Sequence, residues 1–307
     1  MTRLAALALL IAVGVACGHP SVLPADRPDG ACDAGAFGAG PHLVGLEAGG
    51  VSRRALVWMP PGPGPHDVVV DLHEFRSDPE RQQHYSGWLE LAARTDAILV
   101  GPDGRSATWN AGPCCGRAQE KGVDDVAFLD AVIARLDAVA CTSGRVLATG
   151  IGNGAMMAER WACASDVPDA VISVGGSLQL DTCERTRPIP WLHYHGALDD
   201  FAPPGGGEGR LPTTRGGGHL PVEHAVAAWR ARNQATATTT DHHDGLACAT
   251  SDGAAPTVSC VVDGMADLWP GAANAPTHPG HPLAHAARDG WRWVRDAWAT
   301  AEAPTTP

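Results

Sequence analysis

The chain has 307 residues, with 22 basic and 34 acidic side chains and a formal net charge of −12 at pH 7. A net-negative chain without a basic run lacks the charge that neutralises phosphate groups, so we do not expect nucleic acid or an anionic membrane surface as a partner. Hydrophobic residues make up 44% of the chain, which is enough to bury a core. The composition therefore predicts a folded, acidic protein.

The first residues are typical of an export signal. A short basic start that contains Arg3 precedes an unbroken apolar stretch from Leu4 to Ala16, which is shorter than the roughly 20 residues of a membrane-spanning helix. We therefore predict an export signal at residues 1–16. The stretch ends in Gly14-Val15-Ala16-Cys17, which resembles a bacterial lipobox and implies lipidation of Cys17. The protein is then either lipid-anchored in the cell envelope, with membrane contact through the lipid alone, or secreted in soluble form.

Eight cysteines follow Cys17, and an even number in an exported chain indicates up to four disulfides. Cys248 and Cys260 flank a glycine-containing turn and could staple a hairpin. The adjacent Cys114 and Cys115 are interpreted as disulfide halves, with a redox pair as the alternative. The cysteines have neither C-x-x-C nor zinc-finger spacing, so we expect no structural metal site.

Residues 17–40 are rich in Pro, Gly, Ala and Asp without periodicity, which predicts a flexible tether. Residues 301–307 are predicted to be a disordered tail, and residues 41–300 a single domain. A glycine-rich stretch, Pro203–His219, is interpreted as a surface loop near the carboxyl ends of the strands, either a floppy insertion or a lid.

Within the domain, apolar and β-branched runs alternate with segments of helical periodicity. The alternation predicts an α/β fold with a mostly parallel sheet covered by helices on both faces. The predicted strands are Ala55–Met59, Val68–Leu72, Ala97–Val100, Arg145–Thr149, Ala170–Val174, Trp191–His195 and Thr257–Val262. The predicted helices are Glu80–Arg94, Asp124–Val139, Gly154–Cys163, Val222–Arg232 and Leu283–Trp298.

One strand, turn and helix have the pattern of a nucleophile elbow. Val146–Thr149 runs into Gly150-Ile151-Gly152-Asn153-Gly154 and then into an apolar helix. In the G-x-S-x-G motif a serine occupies the central position of this turn, whereas here the position is Gly152, which has no side-chain nucleophile. The dinucleotide-binding fingerprint needs a third glycine where this chain has Ala155, so we expect no such cofactor.

Ordered motifs across residues 55–298 resemble the polyhydroxybutyrate depolymerase and feruloyl esterase-like family of α/β hydrolases. The resemblance implies a single α/β-hydrolase domain and a triad in the chain order serine, aspartate, histidine. The motifs are Val70-Asp71-Leu72-His73, Ser86-Gly87-Trp88, Gly101-Pro102-Asp103-Gly104, Trp109-Asn110-Ala111-Gly112-Pro113-Cys114-Cys115-Gly116, Val123-Asp124-Asp125-Val126, Gly154-Ala155-Met156-Met157, His195-Gly196-Ala197-Leu198-Asp199 and Trp269-Pro270-Gly271.

Carried over position by position, the serine of the triad falls on Gly152, the aspartate on Asp199 and the histidine on Asp267. Two of the three reacting groups are therefore absent. Triad members act as a unit, and loss of the serine or the histidine alone costs about 10⁶ in turnover. We therefore expect a pseudoenzyme that binds an ester, polyester or glycan-type ligand without serine-based turnover and without a cofactor.

The resemblance also implies an oxyanion hole and a ligand cleft. The backbone N–H groups of Phe75 and Asn153 are the candidate donors of the hole. The family has His-Gly where this chain has His73-Glu74, and an inward carboxylate at Glu74 would oppose an oxyanion, whereas a solvated one would not. Together with His73 and Glu74, Trp109 and Trp269 are expected to line the cleft, where tryptophans either stack on a ligand or anchor loops.

An active hydrolase of another class is the alternative function. The triad geometry would bring Asp199 and Asp267 together, and a close carboxylate pair shares a proton and could activate a water molecule in place of the serine; two separately solvated aspartates would not. His278, His281 and His285 could supply a base or, with a carboxylate, bind a metal. Pro279 and Pro282 argue against one helical ligand face, so no metal site is predicted.

Overall fold

A computed structural model describes residues 21–22, 38–48, 50–278 and 281–302. The predicted export signal, Cys17 and most of the predicted tether lie outside the described residues. Ser21–Val22 fall within the predicted tether, yet they form a strand that pairs in parallel with His42 and Leu43. The last helix reaches Glu302, so residues 301 and 302 of the predicted tail are helical.

The described strands form one 11-stranded sheet in the order β1-β2-β3-β5-β4-β6-β7-β8-β11-β10-β9. They are β1 (Ser21–Val22), β2 (Gly40–Ala48), β3 (Val51–Met59), β4 (His66–Leu72), β5 (Ala97–Pro102), β6 (Thr142–Ile151), β7 (Ala170–Val174), β8 (Trp191–Gly196), β9 (Ala237–His243), β10 (Leu246–Asp252) and β11 (Thr257–Val262). The centre, from β5 through β4, β6, β7 and β8 to β11, is parallel, and antiparallel pairs lie on both sides of it. The predicted α/β fold with a mostly parallel sheet is confirmed.

Helices cover both faces of this sheet, and each face has its own core. They are α1 (Pro79–Tyr85), α2 (Trp88–Ala92), α3 (Gly116–Glu120), α4 (Asp125–Val139), α5 (Asn153–Ala164), α6 (Val222–Arg232) and α7 (Arg288–Glu302), with a 3₁₀ turn at Arg105–Ala107. Phe128 of α4, Trp161 of α5 and Trp229 of α6 pack on one face. Trp88 of α2 and Trp291 of α7 pack on the other.

Two of the predicted helices differ from the structure by more than one residue at an end. The segment predicted as Glu80–Arg94 is two helices, α1 and α2, because Gly87 between them has φ +77°, which a continuous helix does not allow. The helix predicted at Leu283–Trp298 begins at Arg288 instead. His285, before it, donates its backbone N–H to the Asp289 carboxylate of the first turn, at 2.9 Å.

The disulfides agree with the cysteine pattern. Cys248 and Cys260 are opposite each other in the antiparallel pair of β10 and β11 and are bonded, as predicted for a stapled hairpin. Cys114 is bonded to its neighbour Cys115. A further bond joins Cys163, in α5, to Cys183, and Cys141 is also disulfide-bonded.

The glycine-rich loop Pro203–His219 is held to the domain at several points. Gly207 and His219 exchange backbone hydrogen bonds of 2.9 and 2.7 Å, which close the loop on itself. Thr214 donates its N–H to Pro113 O at 2.7 Å, and Arg215 donates to Gln179 O at 2.8 Å. These contacts replace the floppy insertion of the sequence interpretation with an ordered loop. Across the described ranges, no helix is both long enough and apolar enough to span a membrane.

Candidate active site

The turn between β6 and α5 keeps the conformation of a nucleophile elbow. Gly152, between the last residue of the strand and the first residue of the helix, has φ +53° and ψ −118°. Its N–H donates to Val174 O of β7 at 2.9 Å, and its carbonyl accepts from Met156 N at 3.1 Å. Both bonds fix this peptide between the sheet and the helix, in a region of φ that favours glycine.

Space around the elbow differs sharply from one glycine to the next. A Cβ on Gly154 would lie 2.1 Å from Leu72 O, so the helix can approach β4 only if this residue is glycine. A Cβ on Gly152 would meet its nearest atoms, Glu74 Cβ and Leu211 Cδ1, at 3.8 and 3.9 Å. The site therefore has room for the side chain that Gly152 lacks.

Asp199 and Asp267, which were predicted at two positions of a triad, face the same point of the site. A Cβ built on Gly175, after β7, would lie 2.8 Å from Asp267 Oδ1 and 3.5 Å from Asp199 Oδ2. Asp199 is held by its other oxygen, Oδ1, which accepts from Phe201 N at 2.8 Å and from Ala202 N at 3.1 Å. The two oxygens that converge are buried; Asp267 Oδ1 accepts no hydrogen bond from the part of the chain that the structure describes, and Asp199 Oδ2 lies 3.1 Å from His195 Nε2.

The surroundings of Asp267 favour its neutral form. Burial raises its pKa to about 8, and the negative charges of Asp199, Glu74 and Asp200 act in the same direction. Burial also raises the pKa of Glu74. Near pH 7 the site therefore holds Asp267 as a neutral acid, which can donate a hydrogen bond.

Buried hydrogen bonds hold the main chain around the candidate oxyanion donors, the N–H groups of Phe75 and Asn153. Asn153 Oδ1 accepts from Trp109 N at 2.7 Å and Asn153 Nδ2 donates to Trp109 O at 3.0 Å, while the Trp109 indole donates to His73 O at 2.9 Å. His73 Nε2 accepts from Gly104 N at 2.9 Å, so its Nδ1 is the donor to Glu74 O, at 2.8 Å. These contacts orient the main chain on both sides of the elbow. Asn153 is the first residue of α5, and its own N–H has no partner within the helix.

The residues that were expected to line the cleft differ in how deeply they are buried. His73 and Trp109 are 0% exposed and Trp269 is 1% exposed, so their rings support the site from below its surface and offer no face for stacking on a ligand. Trp269 N donates to Tyr85 OH at 3.1 Å. Glu74 and Phe75 are partly exposed and lie at the entrance.

Two side chains of this site were missed in the sequence. Leu211 comes from the glycine-rich loop and is 4% exposed beside Gly152. Nothing in the loop's sequence indicates that contact. Tyr85 lies beside the Ser86-Gly87-Trp88 motif, and the negative charges of Asp267 and Glu74 help burial to raise its pKa. The motif was thus a signal for the neighbourhood of Tyr85.

The C-terminal histidines contact another part of the fold. His278 Nδ1 donates to Asp244 O at 2.6 Å, and His281 Nε2 lies 3.8 Å from Asp241 Oδ2, so both face the β9–β10 hairpin. No group of three or more His, Cys, Asp or Glu side chains among the described residues is arranged to hold a metal ion.

The fold and the elbow define an α/β hydrolase-like domain, and comparisons with known proteins narrow this class. The chain is 36% identical over 152 residues to "Probable feruloyl esterase C" of Aspergillus flavus, which is 47% of this chain and 52% of the relative. The protein of the same name from Aspergillus clavatus is 32% identical over 124 residues, 39% of this chain and 42% of the relative. No family model matches.

The chain thus spans about half the length of the curated relatives that it matches. Among solved structures, acetyl xylan esterase from Aspergillus awamori superposes with a TM-score of 0.54 at 14% identity, over 74% of this chain and 94% of that one. That likeness shows a shared fold. Together the comparisons support an esterase-like α/β-hydrolase family for this chain.

Proposed function

We propose that this protein binds an ester, polyester or glycan-type ligand in an esterase-like cleft without serine-based turnover. One observation carries the proposal: Gly152 keeps the left-handed φ of +53° and the free space of a nucleophile position, but has no side chain. The turn is thus built as a binding elbow from which the nucleophile is missing.

The charges of the site support the same proposal. Ester hydrolysis places a developing oxyanion at the elbow, and donors aimed at that charge supply much of the rate. Here Glu74 Cβ lies 3.8 Å from the place of a Cβ on Gly152, and Asp199 and Asp267 follow two neighbouring strands, β8 and β11. Acidic groups there oppose a second negative charge but tolerate a neutral ester.

Restoring the missing groups tests the proposal. The double variant Gly152→Ser/Asp267→His is assayed against short-chain and feruloyl aryl esters, beside both single variants and the wild type. We expect hydrolysis only where both groups are restored, and a further increase when Glu74→Gly is added. Turnover by the wild type itself would contradict the proposal.

Binding needs its own measurement. The wild type and Leu211→Arg are compared for saturable retention on insoluble polyester and on feruloylated glycan, because the arginine would occupy the space beside Gly152. Retention that the variant loses supports a ligand in this cleft. Equal retention of the two, or none at all, would count against it.

A second candidate is an active hydrolase that uses Asp199 and Asp267 as a proton-sharing pair. It is favoured by the convergence of two buried oxygens, Asp199 Oδ2 and Asp267 Oδ1, beside Gly175. In such a pair one carboxylate accepts a proton from water while the neutral acid donates to the carbonyl. Its test is wild-type turnover that Asp267→Asn abolishes and that a serine-directed phosphonate leaves unchanged.

Export and lipidation are a separate proposal, which rests on residues 1–17 of the sequence. Expression in a bacterium of the wild type and of Cys17→Ser, followed by mass analysis of the N-terminal peptide, tests it. A diacylglyceryl mass on Cys17 supports anchoring, and an unmodified N-terminus in the medium supports secretion instead.

A further inference from the structure

Beneath the candidate site, four buried polar side chains form a hydrogen-bonded chain from helix α5 across strands β7 and β8. Glu159 Oε1 of α5 lies 2.7 Å from Ser173 Oγ of β7, and Ser173 Oγ lies 2.8 Å from His193 Nδ1 of β8. His193 Nε2 lies 3.0 Å from His195 Nδ1. All four side chains are 0–1% exposed, so bulk solvent does not reach them.

The chain ends at the candidate site. His195 Nε2 lies 2.8 Å from Ala202 O and 3.1 Å from Asp199 Oδ2. Since a carbonyl oxygen only accepts, Nε2 of His195 carries a proton. That proton faces the same Asp199 oxygen that converges with Asp267.

The hydrogen-bonded chain needs one proton more than its neutral side chains supply when Glu159 is ionised. Its four contacts, from Glu159 to Ser173, His193, His195 and Ala202, need one proton each. One hydroxyl and two neutral imidazoles supply only three. The fourth proton resides either on Glu159 or on one of the two histidines as an imidazolium, and without it two acceptors would face each other in the core, at the full cost of an unmade buried hydrogen bond.

We propose that Glu159 is a buried proton store for the candidate site, connected to Asp199 through Ser173, His193 and His195. Glu159 Oε1 gives its proton to Ser173 Oγ as the hydroxyl proton moves to His193 Nδ1. His193 then passes its Nε2 proton to His195 Nδ1. Glu159 is left as a carboxylate, and His195 becomes an imidazolium beside Asp199. No proton is gained or lost by the chain, and no other reactant is needed.

The groups around the chain are suited to both of its states. Burial raises the pKa of Glu159 to about 7, while its Oε2 accepts from the Trp229 indole at 2.9 Å. Burial lowers the pKa of His193, and the charge of His195 lowers it further. The charges of Asp199 and His195 also act on the pKa of His219 in the glycine-rich loop, the first raising it and the second lowering it. Glu159, His193, His195, His219 and Asp199 are therefore the groups that set the charge of the chain.

The substitution Glu159→Gln separates this proposal from ordinary packing. Its amide oxygen can accept from Trp229 while its amide nitrogen donates to Ser173, so every contact is satisfied without a mobile proton. In nitrogen-15 NMR of labelled histidine, we expect the hydrogen bonds of the variant to fix the ring proton of both His193 and His195 on Nε2. In the wild type the transferred proton reaches Nδ1 of His193 and of His195, so at least one Nδ1 signal should differ from that of the variant at the same pH. Identical histidine spectra in the two proteins would overturn the proposal.

Two further measurements do not depend on that variant. In the wild type, nitrogen–nitrogen coupling across the pair of His193 and His195 is expected, and its absence would overturn the chain. Asp199→Asn removes the anion beside His195, so the shared proton should move toward Glu159 and raise the infrared signal of a protonated glutamic acid; an unchanged signal would overturn the connection to the site.

The inference rests on the proposed function only for where the proton is used. Because these readouts need no ligand, their failure is distinguishable from a failure of ligand binding.

Discussion

Asp267 falls at the position that the family resemblance assigns to a histidine, and replacing it with asparagine should stabilise the protein at neutral pH. The asparagine has nearly the same shape but does not titrate. In the folded protein, burial and three neighbouring acids raise the pKa of Asp267 from 3.8 to about 8. The wild-type chain must therefore hold a proton on folding that the unfolded chain has lost near pH 7.

The magnitude follows from the linkage between proton binding and folding. Each unit of pKa difference corresponds to about 1.36 kcal/mol, and pH 7 lies about three units above the pKa of the unfolded carboxyl. The cost of burying Asp267 at pH 7 is therefore at most about 4 kcal/mol. Water at the partly exposed edge of the residue reduces this, so we expect Asp267→Asn to gain about 2–4 kcal/mol in the free energy of unfolding at pH 7.

The sign fixes the pH window. A raised carboxyl pKa contributes stability that is fully present below the unfolded pKa of 3.8 and is lost as pH rises toward about 8. The difference between Asp267→Asn and the wild type should thus be small near pH 4 and grow up to about pH 8. Urea unfolding at three pH values across this window measures it, with Asp200→Asn as the matched control, because Asp200 is an exposed acid of the same site. A difference that does not change with pH would refute the reasoning.

Further predictions concern the elbow and the stapled hairpin. Gly152→Ala should cost only about 1–2 kcal/mol of folding free energy, because its Cβ has room and the expense is the φ of +53°. Gly154→Ala, whose Cβ would lie 2.1 Å from Leu72 O, should prevent normal folding, and equal behaviour of the two alanines in thermal melts would contradict this contrast. Cys248→Ser/Cys260→Ser opens a bridge with a sequence separation of 12 and should cost about 3 kcal/mol in denaturant unfolding, whereas reducing agent should then have no further effect on that hairpin.

The central strands could be predicted because both of their faces are buried. Ala170–Val174 is apolar at every position except Ser173, and β7 has those same bounds. The outer strand β9, Ala237–His243, was missed because every one of its residues is exposed, so its sequence carries no apolar period. An edge strand that buries none of its residues leaves no hydrophobic signal.

The candidate site was partly accessible from the sequence. The motifs placed Gly152, Asp199 and Asp267 after the carboxyl ends of three strands. Parallel strands have their carboxyl ends at the same edge of the sheet, so the three positions could be expected there. Leu211 could not be predicted, because its contact depends on the path of a long loop. His193 and His195 had an unused signal: they are two residues apart on a buried strand, and a period of two places both on the same face.

The charges of the site explain how binding and catalysis can be separated in one cleft. An enzyme accelerates a reaction only through contacts that are stronger in the transition state than in the ground state. A neutral ester carbonyl beside Gly152 can accept a hydrogen bond from neutral Asp267, and it places no new charge near Asp199 or Glu74. An oxyanion at the same place would meet carboxylates at short range, and the attacking oxygen is absent as well. Under the proposed function, glycine at position 152 and aspartate at position 267 withhold stabilisation from the transition state but leave the ground-state contacts of the cleft, so that the cleft binds its ligand and leaves it intact.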